Sequence, residues 1–557
     1  VTEDFFARHQ AVLDEALRAA ASRAYWTPYP ESPSPRNYGE TANEEGRRSF
    51  DALLGTNFPL DLPGASRMPG RETSPFGIDL DIAYPRLAPE QLTDAAARAL
   101  AEWRRAGPRT WVGVSLEILH RLNRASFEIA YAVQHTSGQG FMMAFQAGGP
   151  HAQDRGLEAV AYAWNEMARI PRQARWEKPQ GKQEPLRMEK QFTIVPRGVA
   201  LVIGCSTFPT WNSYPGLFAS LATGNTVIVK PHPTAILPLA ITVRIAREVL
   251  AEAGVDPDVV QLAVHAAGDD TAQVLATHPQ VRIVDFTGSK ANGEWVEQHA
   301  RQAQVYTEKS GVNAVIVDSV DSADDLKAVA RNLAFSLSLY SGQMCTAPQN
   351  IYVPREGIRT AQGHVSFDAV AGAIAAALEA LTADAAKAAD LLGAIQSPST
   401  EARLQAAREL GLPVLAESRP LVHPQFQQAR IRTPLLLRAE PDHPAIQREW
   451  FGPVAFVVAT DSTAHSIELA GNGARSHGAL TLSAYTTDQA VAQAIREAAE
   501  QACVPLSLNL TGGIFVNQSA AFSDFHGTGA NPAANAALCD TAFVASRFRV
   551  VQTRWHV

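Results

Sequence analysis

The sequence is short of cysteine, of long apolar runs and of excess basic charge, and each shortage removes a class of function. Its four cysteines, Cys205, Cys345, Cys503 and Cys539, lie far apart with no CxxC pair. Neither a disulfide framework nor a zinc cluster is expected, and a reducing compartment fits. The 15 histidines form no HExxH or His-x-His cluster, so no metal is expected. Lys and Arg number 48 against 56 Asp and Glu, a net charge of −8 with no surplus for binding nucleic acid or an anionic membrane. No apolar run approaches a membrane span, and Val1-Thr2-Glu3-Asp4-Phe5-Phe6 has no basic stretch ahead of an apolar one. The expectation is a cytoplasmic protein without a membrane segment. No internal repeat or low-complexity linker is present, and 557 residues predict about two to four domains.

What is present begins with a segment that is hard to place. Residues 5–23 predict a helix, followed by a loop punctuated by Pro28, Pro30, Pro33 and Pro35. Residues 1–60 therefore read as an extension or arm. Helical periodicity returns from Asp94 to Trp103 and again where Val114, Ile118 and Leu122 recur every fourth residue. Residues 176–197 are polar and turn-rich but end in Phe192-Thr193-Ile194-Val195, which alternates as a strand does. Four continuous apolar strands follow, at 199–204, 226–230, 259–264 and 281–286, with helices between them; the best helix, 239–253, stops at Gly254. Such a rhythm predicts a parallel sheet covered on both faces, which takes ligands beyond its strands' carboxyl ends. After Asn313 it restarts with a strand at 314–317 and a helix at 324–339; an Ala-rich helix at 370–381 reads as structural. Residues 543–553 read as a strand, with Arg547, Arg549 and Arg554 between or beyond its apolar positions.

Four stretches carry candidate chemistry. Gly342-Gln343-Met344-Cys345 places one cysteine after a glycine-bearing turn and before the β-rich Ile351-Tyr352-Val353. Cys345 is a candidate nucleophile if it can become a thiolate beside a base and an anion-stabilising amide; by residue type alone, inert packing is the commoner fate. Phe286-Thr287-Gly288-Ser289-Lys290-Ala291-Asn292-Gly293 is a glycine turn leading to a helix, whose free N–H groups would attract phosphate. It is not a GxGxxG fingerprint and by itself also reads as a plain loop. Tyr306-Thr307-Glu308-Lys309-Ser310-Gly311 sets a carboxylate before a glycine, and Arg448-Glu449-Trp450-Phe451-Gly452-Pro453-Val454 is an acidic-aromatic run with a forced turn. Alone, these would be a surface glutamate and a loop.

Taken in order, and with Gly224-Asn225-Thr226 and Val229-Lys230-Pro231, these motifs resemble the aldehyde dehydrogenase superfamily from about Asp94 to the C-terminus. Met188-Glu189-Lys190, residues 205–212 and residues 334–345 are most similar to its branch named for phenylacetic acid degradation, PaaN, as is the N-terminal extension. The resemblance implies an α/β fold: a Rossmann-type parallel-sheet cofactor domain (61–175 and 198–311), an α/β catalytic domain (312–530), and a small β oligomerisation arm with a C-terminal tail (176–197 and 531–557). It also implies that Cys345 attacks an aldehyde to give a thiohemiacetal and then a thioester, and that Glu308 is the general base for the hydrolytic water. Lys230 and Glu449 would hold the two riboses of a nicotinamide dinucleotide, Ser289 and the amides after Gly288 would face its pyrophosphate, with Gly293 in the same turn, and Phe451 would position the nicotinamide ribose. The implied substrate is an aldehyde, specifically a semialdehyde carried on coenzyme A in aromatic catabolism, and the implied assembly is a homodimer or a homotetramer.

Two departures from the family pattern stand out. Thr207 occupies the position of the usual oxyanion asparagine, and Asn212, five residues on, would substitute only if the loop were rebuilt. Pro233 stands where NAD-preferring members often carry a glutamate, which predicts NADP over NAD with His232 and Lys230 as partners for the 2′-phosphate. Two alternatives stay open: a CoA-acylating enzyme, in which a thiol resolves the thioester, and a catalytically silent binding or structural member of the fold. Cys205 would line the pocket floor, while Cys503 and Cys539 read as packing.

Overall fold

The computed structural model describes residues 4–309 and 311–557; Val1 to Glu3 and Ser310, the latter inside the Glu308 motif, lie outside the described residues. Five strands form a wholly parallel sheet in the spatial order Val260–Leu262, Thr226–Lys230, Val199–Ile203, Val281–Thr287, Gln304–Glu308. Every residue of Val199–Ile203 and Thr226–Lys230 is buried, because helices cover both faces, and this is why these strands are continuous rather than alternating in sequence. The chain winds outward in both directions from the pair Val199–Ile203 and Val281–Thr287, so a crevice opens beyond their carboxyl ends. The helix Leu237–Glu252 crosses over from this sheet. Its first amides, of Ile236 and Leu237, donate to the carboxylate of Glu72 at 2.5 and 3.0 Å.

A second sheet has seven strands in the order Val414–Ala416, Leu435–Ala439, Val454–Thr460, Asn350–Pro354, Ala314–Val317, Leu482–Tyr485, Leu506–Leu508, all parallel but the first. Alternate residues of Ala314–Val317 serve opposite faces. Val315 and Val317 join the cluster under the helices Ala323–Ser338 and Phe367–Leu381, while Ala314 and Ile316 pack with Phe456 and Trp450.

Three antiparallel strands, Gln173–Gln180, Gln183–Pro196 and Phe548–His556, make the arm, with Phe548 opposite Pro196 and His556 opposite Met188. The C-terminal strand expected at 543–553 begins only at Phe548. Phe543 and Val544 belong to the helix Thr541–Ala545, which is buried in the core of the first sheet. Arg547 is wholly buried between the rings of Tyr306 and Phe543 and forms a two-point ion pair with Asp285 at 2.6 and 2.8 Å. Leu538, Cys539, Phe543 and Val544 therefore pack with the first core, while Ala533 and Ala534 cluster with Leu480 beside Cys345.

The N-terminal segment is likewise no appendage. The helix Phe5–Ser22 buries Phe5, Phe6, His9, Leu13, Ala16 and Ala19, an i, i+3/i+4 stripe, against the helix Pro89–Arg124. Gly113 permits the contact, since a Cβ there would lie 2.6 Å from the Phe6 nitrogen. His9 and Arg8 close it on Glu117 at 2.7 and 2.9 Å.

Candidate active site

The cysteine loop is fixed by its own strained backbone. After Ala323–Ser338 the chain turns through Tyr340, Ser341 and Gly342, all left-handed, at φ 51°, 50° and 64°. For the two non-glycine residues this costs about 1–2 kcal/mol each, and tertiary contacts hold them there. The Tyr340 hydroxyl donates to the Ser137 carbonyl and Ser341 Oγ to the Leu392 carbonyl. Gly342 admits no side chain, because a Cβ would lie 2.5 Å from the Gly452 carbonyl oxygen. That close approach brings the Glu449–Gly452 run against the cysteine loop. Asn313 pins the far side: its Nδ2 donates to the carbonyls of Cys345 and Ala347 at 2.8 and 2.9 Å, and its Oδ1 accepts from Leu480 and Thr481.

Glu308 ends the last strand of the first sheet, and its carboxylate gathers three donors. His526 Nε2 lies 3.1 Å from Oε2, Asn212 Nδ2 lies 3.4 Å from each oxygen, and the Cys345 thiol hydrogen-bonds to it. Cys345 Sγ is 3.9 Å from His526 Nε2, and one ligand atom from each of Glu308, Cys345 and His526 lies within 4.8 Å of the others. Burial alone would push the Glu308 carboxyl up; the charge and hydrogen bond of His526, with Cys345 and Asn212, outweigh it and hold the group below its ordinary value. Cys345 goes the other way: burial, then the negative charge of Glu308 and the hydrogen bond to it, raise its thiol well above the ordinary value. At rest Cys345 is thus a neutral thiol donating to a carboxylate. The thiolate that a nucleophilic cysteine requires forms only when that proton moves.

Two of these residues depart from what the sequence suggests. Asn212 reaches the site without any rebuilding of the loop, because the helix Pro209–Ala222 begins three residues earlier and carries it inward on its first turn. Thr207 points elsewhere: its hydroxyl pairs with Cys205, and its carbonyl accepts from Gln139 Nε2 at 2.8 Å. Burial raises the Cys205 thiol to about 11. His526 has no local signal at all; its side chain arrives from 181 residues beyond Cys345. Its segment is fastened by the buried pair Arg155 and Glu158, 2.8 Å apart. Arg155 donates to the carbonyls of Asp524 and Leu538 and to Ser519 Oγ, and Glu158 accepts from the Phe522 amide.

On the crevice side, Lys230 ends its strand buried, with Nζ donating to the Pro231 carbonyl at 3.2 Å. Burial, offset in part by Asp269, lowers its ammonium to about 8. His232 accepts from Thr234 at Nδ1, and burial together with Lys230 and His265 lowers it to about 4, so it faces the crevice as a neutral imidazole. Asp269, held by Arg86 at 2.5 Å, is the acid near enough to act electrostatically on Lys230. Gly288 and Gly293 are filled from within: a Cβ at Gly288 would meet the Phe286 ring at 2.8 Å, and one at Gly293 would meet Lys309 at 2.5 Å. The Gly288 amide is also spent on the Glu308 carbonyl. The turn therefore offers an anion the first amides of the helix Lys290–His299, capped by Ser289 Oγ accepting from Asn292, rather than glycine gaps. Glu449 lies close enough to act electrostatically on both Cys345 and Arg403, and Arg403 holds the Phe451 carbonyl at 3.0 Å. An ammonium with three donors and one acceptor in hand, beside a helix N-terminus, fits a ligand rich in hydroxyl and phosphate oxygens, as a nicotinamide dinucleotide is.

Comparison with known proteins agrees with this geometry. Residues 87–522 match the family model described as the aldehyde dehydrogenase family. The crystal structure of an NAD-dependent aldehyde dehydrogenase from Burkholderia multivorans superposes with a TM-score of 0.98 at 62% identity, over 100% of both chains. A 1-pyrroline-5-carboxylate dehydrogenase of Geobacillus sp. is 24% identical over 452 residues, 77% of this chain and 81% of that protein. The FUS7 protein of Gibberella fujikuroi is 28% identical over 314 residues, 55% of this chain and 62% of that protein, so the match spans less than two thirds of that relative's length.

Proposed function

The chain belongs to the aldehyde dehydrogenase family, and on that premise we propose that it oxidises an aldehyde to a carboxylic acid with a nicotinamide dinucleotide as acceptor. The observation that carries this reading is the contact between the Cys345 thiol and the Glu308 carboxylate at the mouth of a crevice beyond the parallel strands. Glu308 takes the thiol proton as Cys345 Sγ bonds to the aldehyde carbon. The Asn212 side-chain amide and the Cys345 backbone amide are the donors for the oxygen that gains charge, Asn212 taking the place first given to Thr207. The dinucleotide, when bound, supplies the hydride acceptor. Once it has passed the first proton to solvent, Glu308 draws a proton from water, whose oxygen adds to the thioester carbon; the carbon–sulfur bond breaks, that proton goes to the departing Cys345 sulfur, and the acid leaves. Lys230 and Glu449 hold the riboses, the Ser289 turn the pyrophosphate, and Phe451 the nicotinamide end.

Similarity to the PaaN branch supports a semialdehyde carried on coenzyme A as the substrate. Pro233 supports NADP by removing a carboxylate that would repel a 2′-phosphate; Asp269 beside Lys230, and the name of the Burkholderia multivorans relative, favour NAD as a second reading. The four cysteines are free thiols, which suits a reducing, cytoplasmic setting. The exposed strand Phe548–His556 supports a homodimer or homotetramer formed through the arm. Glu308 as a water-activating base argues against CoA-acylating transfer, and the joined set of Cys345, Glu308 and Asn212 against a silent member.

The test mixes the purified chain with NADP or NAD and a panel of aldehydes, CoA-linked ones included, with and without free coenzyme A, and follows reduced-cofactor absorbance beside Cys345→Ser. Turnover is expected from the native chain and loss of roughly 10³-fold or more in the variant. Equal turnover by the two would overturn the nucleophile. A Michaelis constant for NADP far above that for NAD would overturn the NADP preference.

A further inference from the structure

Residues 205–212 make one turn from the strand Val199–Ile203 into the helix Pro209–Ala222, and the proposed reaction uses only the last of them, Asn212. An asparagine amide can sit either way round. Only one way serves an aldehyde oxygen that gains charge, with Nδ2 towards the site and Oδ1 away from it. Nδ2 lies 3.4 Å from each oxygen of Glu308, and an ionised carboxylate only accepts, so one N–H is spent there and the other is left for the aldehyde oxygen. At the opposite end Oδ1 lies 3.6 Å from Cys205 Sγ. An amide oxygen also only accepts, so the thiol is the donor, and it is the one donor this oxygen has among the described residues.

Cys205 is oriented in its turn. The Thr207 hydroxyl and the amides of Thr207 and Phe208 donate to its sulfur, which leaves its single hydrogen for Asn212. Cys205 and Trp211 pack against the buried rings of Phe208 and Tyr340, and burial pushes the thiol up to about 11, so it keeps that hydrogen through the neutral range. Glu308 tells the two ends of the amide apart only while it is ionised. In the proposed reaction it holds the Cys345 proton just as the aldehyde oxygen gains charge, and a protonated carboxyl can donate to Oδ1 as readily as it accepts from Nδ2. The preference of the Cys205 thiol does not change at that moment.

We propose that Cys205 is a positioning residue: its thiol, held by Thr207, donates to Asn212 Oδ1 and keeps Nδ2 turned to the aldehyde oxygen while Glu308 carries the Cys345 proton. This rests on the role given to Asn212 above as a donor to that oxygen. Thr207 then acts on the same amide through Cys205, from the position where the family pattern has the asparagine itself.

The experiment mixes the full-length chain with NAD or NADP and the aldehyde of the panel above that the native chain oxidises fastest, and follows the first burst of reduced cofactor. It compares the native chain with Cys205→Ala, Cys205→Val, Cys205→Ser, Asn212→Ala and the pair Cys205→Ala with Asn212→Ala. The alanine and valine variants lack the hydrogen and should slow the burst about tenfold, with the Michaelis constant for the dinucleotide unchanged. Serine keeps a donor at that position and should restore part of the rate. Asn212→Ala should slow the burst about 100-fold, and adding Cys205→Ala to it should cost nothing more, because the thiol acts through that amide. A native burst in the alanine or valine variant, no recovery with serine, or the same tenfold loss on the Asn212→Ala background overturns the proposal; either of the two variants without the hydrogen suffices if the other fails to fold. A native burst in Asn212→Ala would instead overturn the role of that amide, and no burst from the native chain on any aldehyde would overturn the dehydrogenase reading itself.

Discussion

At the cysteine end of the site Cys345, Glu308, Asn212 and His526 are joined to one another, whereas in the crevice beside it, among the described residues, Lys230 holds a single carbonyl and the buried Nε2 of His265 has no partner. Both ends are buried, so the difference is not one of solvent. Groups that must move protons are pre-positioned by the chain, which avoids reorganisation during reaction. The groups proposed to bind the dinucleotide keep donors in reserve: burial shifts Lys230 down to about 8, while His526, Cys345 and Asn212 hold Glu308 below its ordinary value.

The contrast can be broken most forcefully at Glu308. Glu308→Gln should lower steady-state turnover by about 10²–10⁴-fold while slowing the first burst of reduced cofactor less, since the base is needed again for hydrolysis. An unchanged steady state would show that the carboxylate is not the base. Next in size, Arg155→Met should cost about 3–5 kcal/mol, because it leaves the buried Glu158 with only the more distant Arg23, 3.8 Å away. Denaturant melts measure the loss, and limited proteolysis should find residues 519–538 opened along with His526; a melt like that of the native chain would mean that the pair does not fasten this segment.

The smallest effect has the opposite sign. Lys230 falls from 10.5 in the unfolded chain to about 8 in the fold, so between those values the unfolded chain binds more protons and stability rises with pH; below about 8 the full penalty applies. Lys230→Met should therefore stabilise the ligand-free chain near pH 7 by roughly 3 kcal/mol, a gain that fades as the pH approaches 10.5. The same variant should bind dinucleotide roughly tenfold more weakly. Equal thermal melting of variant and native chain at both pH values would remove the distinction between the two ends.

Much of the fold is legible along the chain. The strands at 226–230 and 314–317 fall where continuous β-branched runs predict them, because burial on both faces leaves no other composition available. The C-terminal strand begins later than its pattern predicts because Phe543, Val544, Phe548 and Val550 suit a strand as well as a short helix, and only the Arg547 to Asp285 pair shows which part turns into the core. The N-terminal helix was visible, but not its destination, since an amphipathic stripe says that a partner exists without saying which.

Sequence by itself located the proposed nucleophile and its proposed base, because Gly342-Gln343-Met344-Cys345 and Glu308 sit in short motifs. Tertiary structure alone decided how that cysteine is governed. Asn212 and His526 come to Glu308 and Cys345 across 96 and 181 residues, a separation that no spacing rule spans, and their arrival makes the resting group a neutral thiol tied to a carboxylate instead of a free thiolate. Protonation answers to what surrounds a group in space, and those surroundings exist only once the chain has folded.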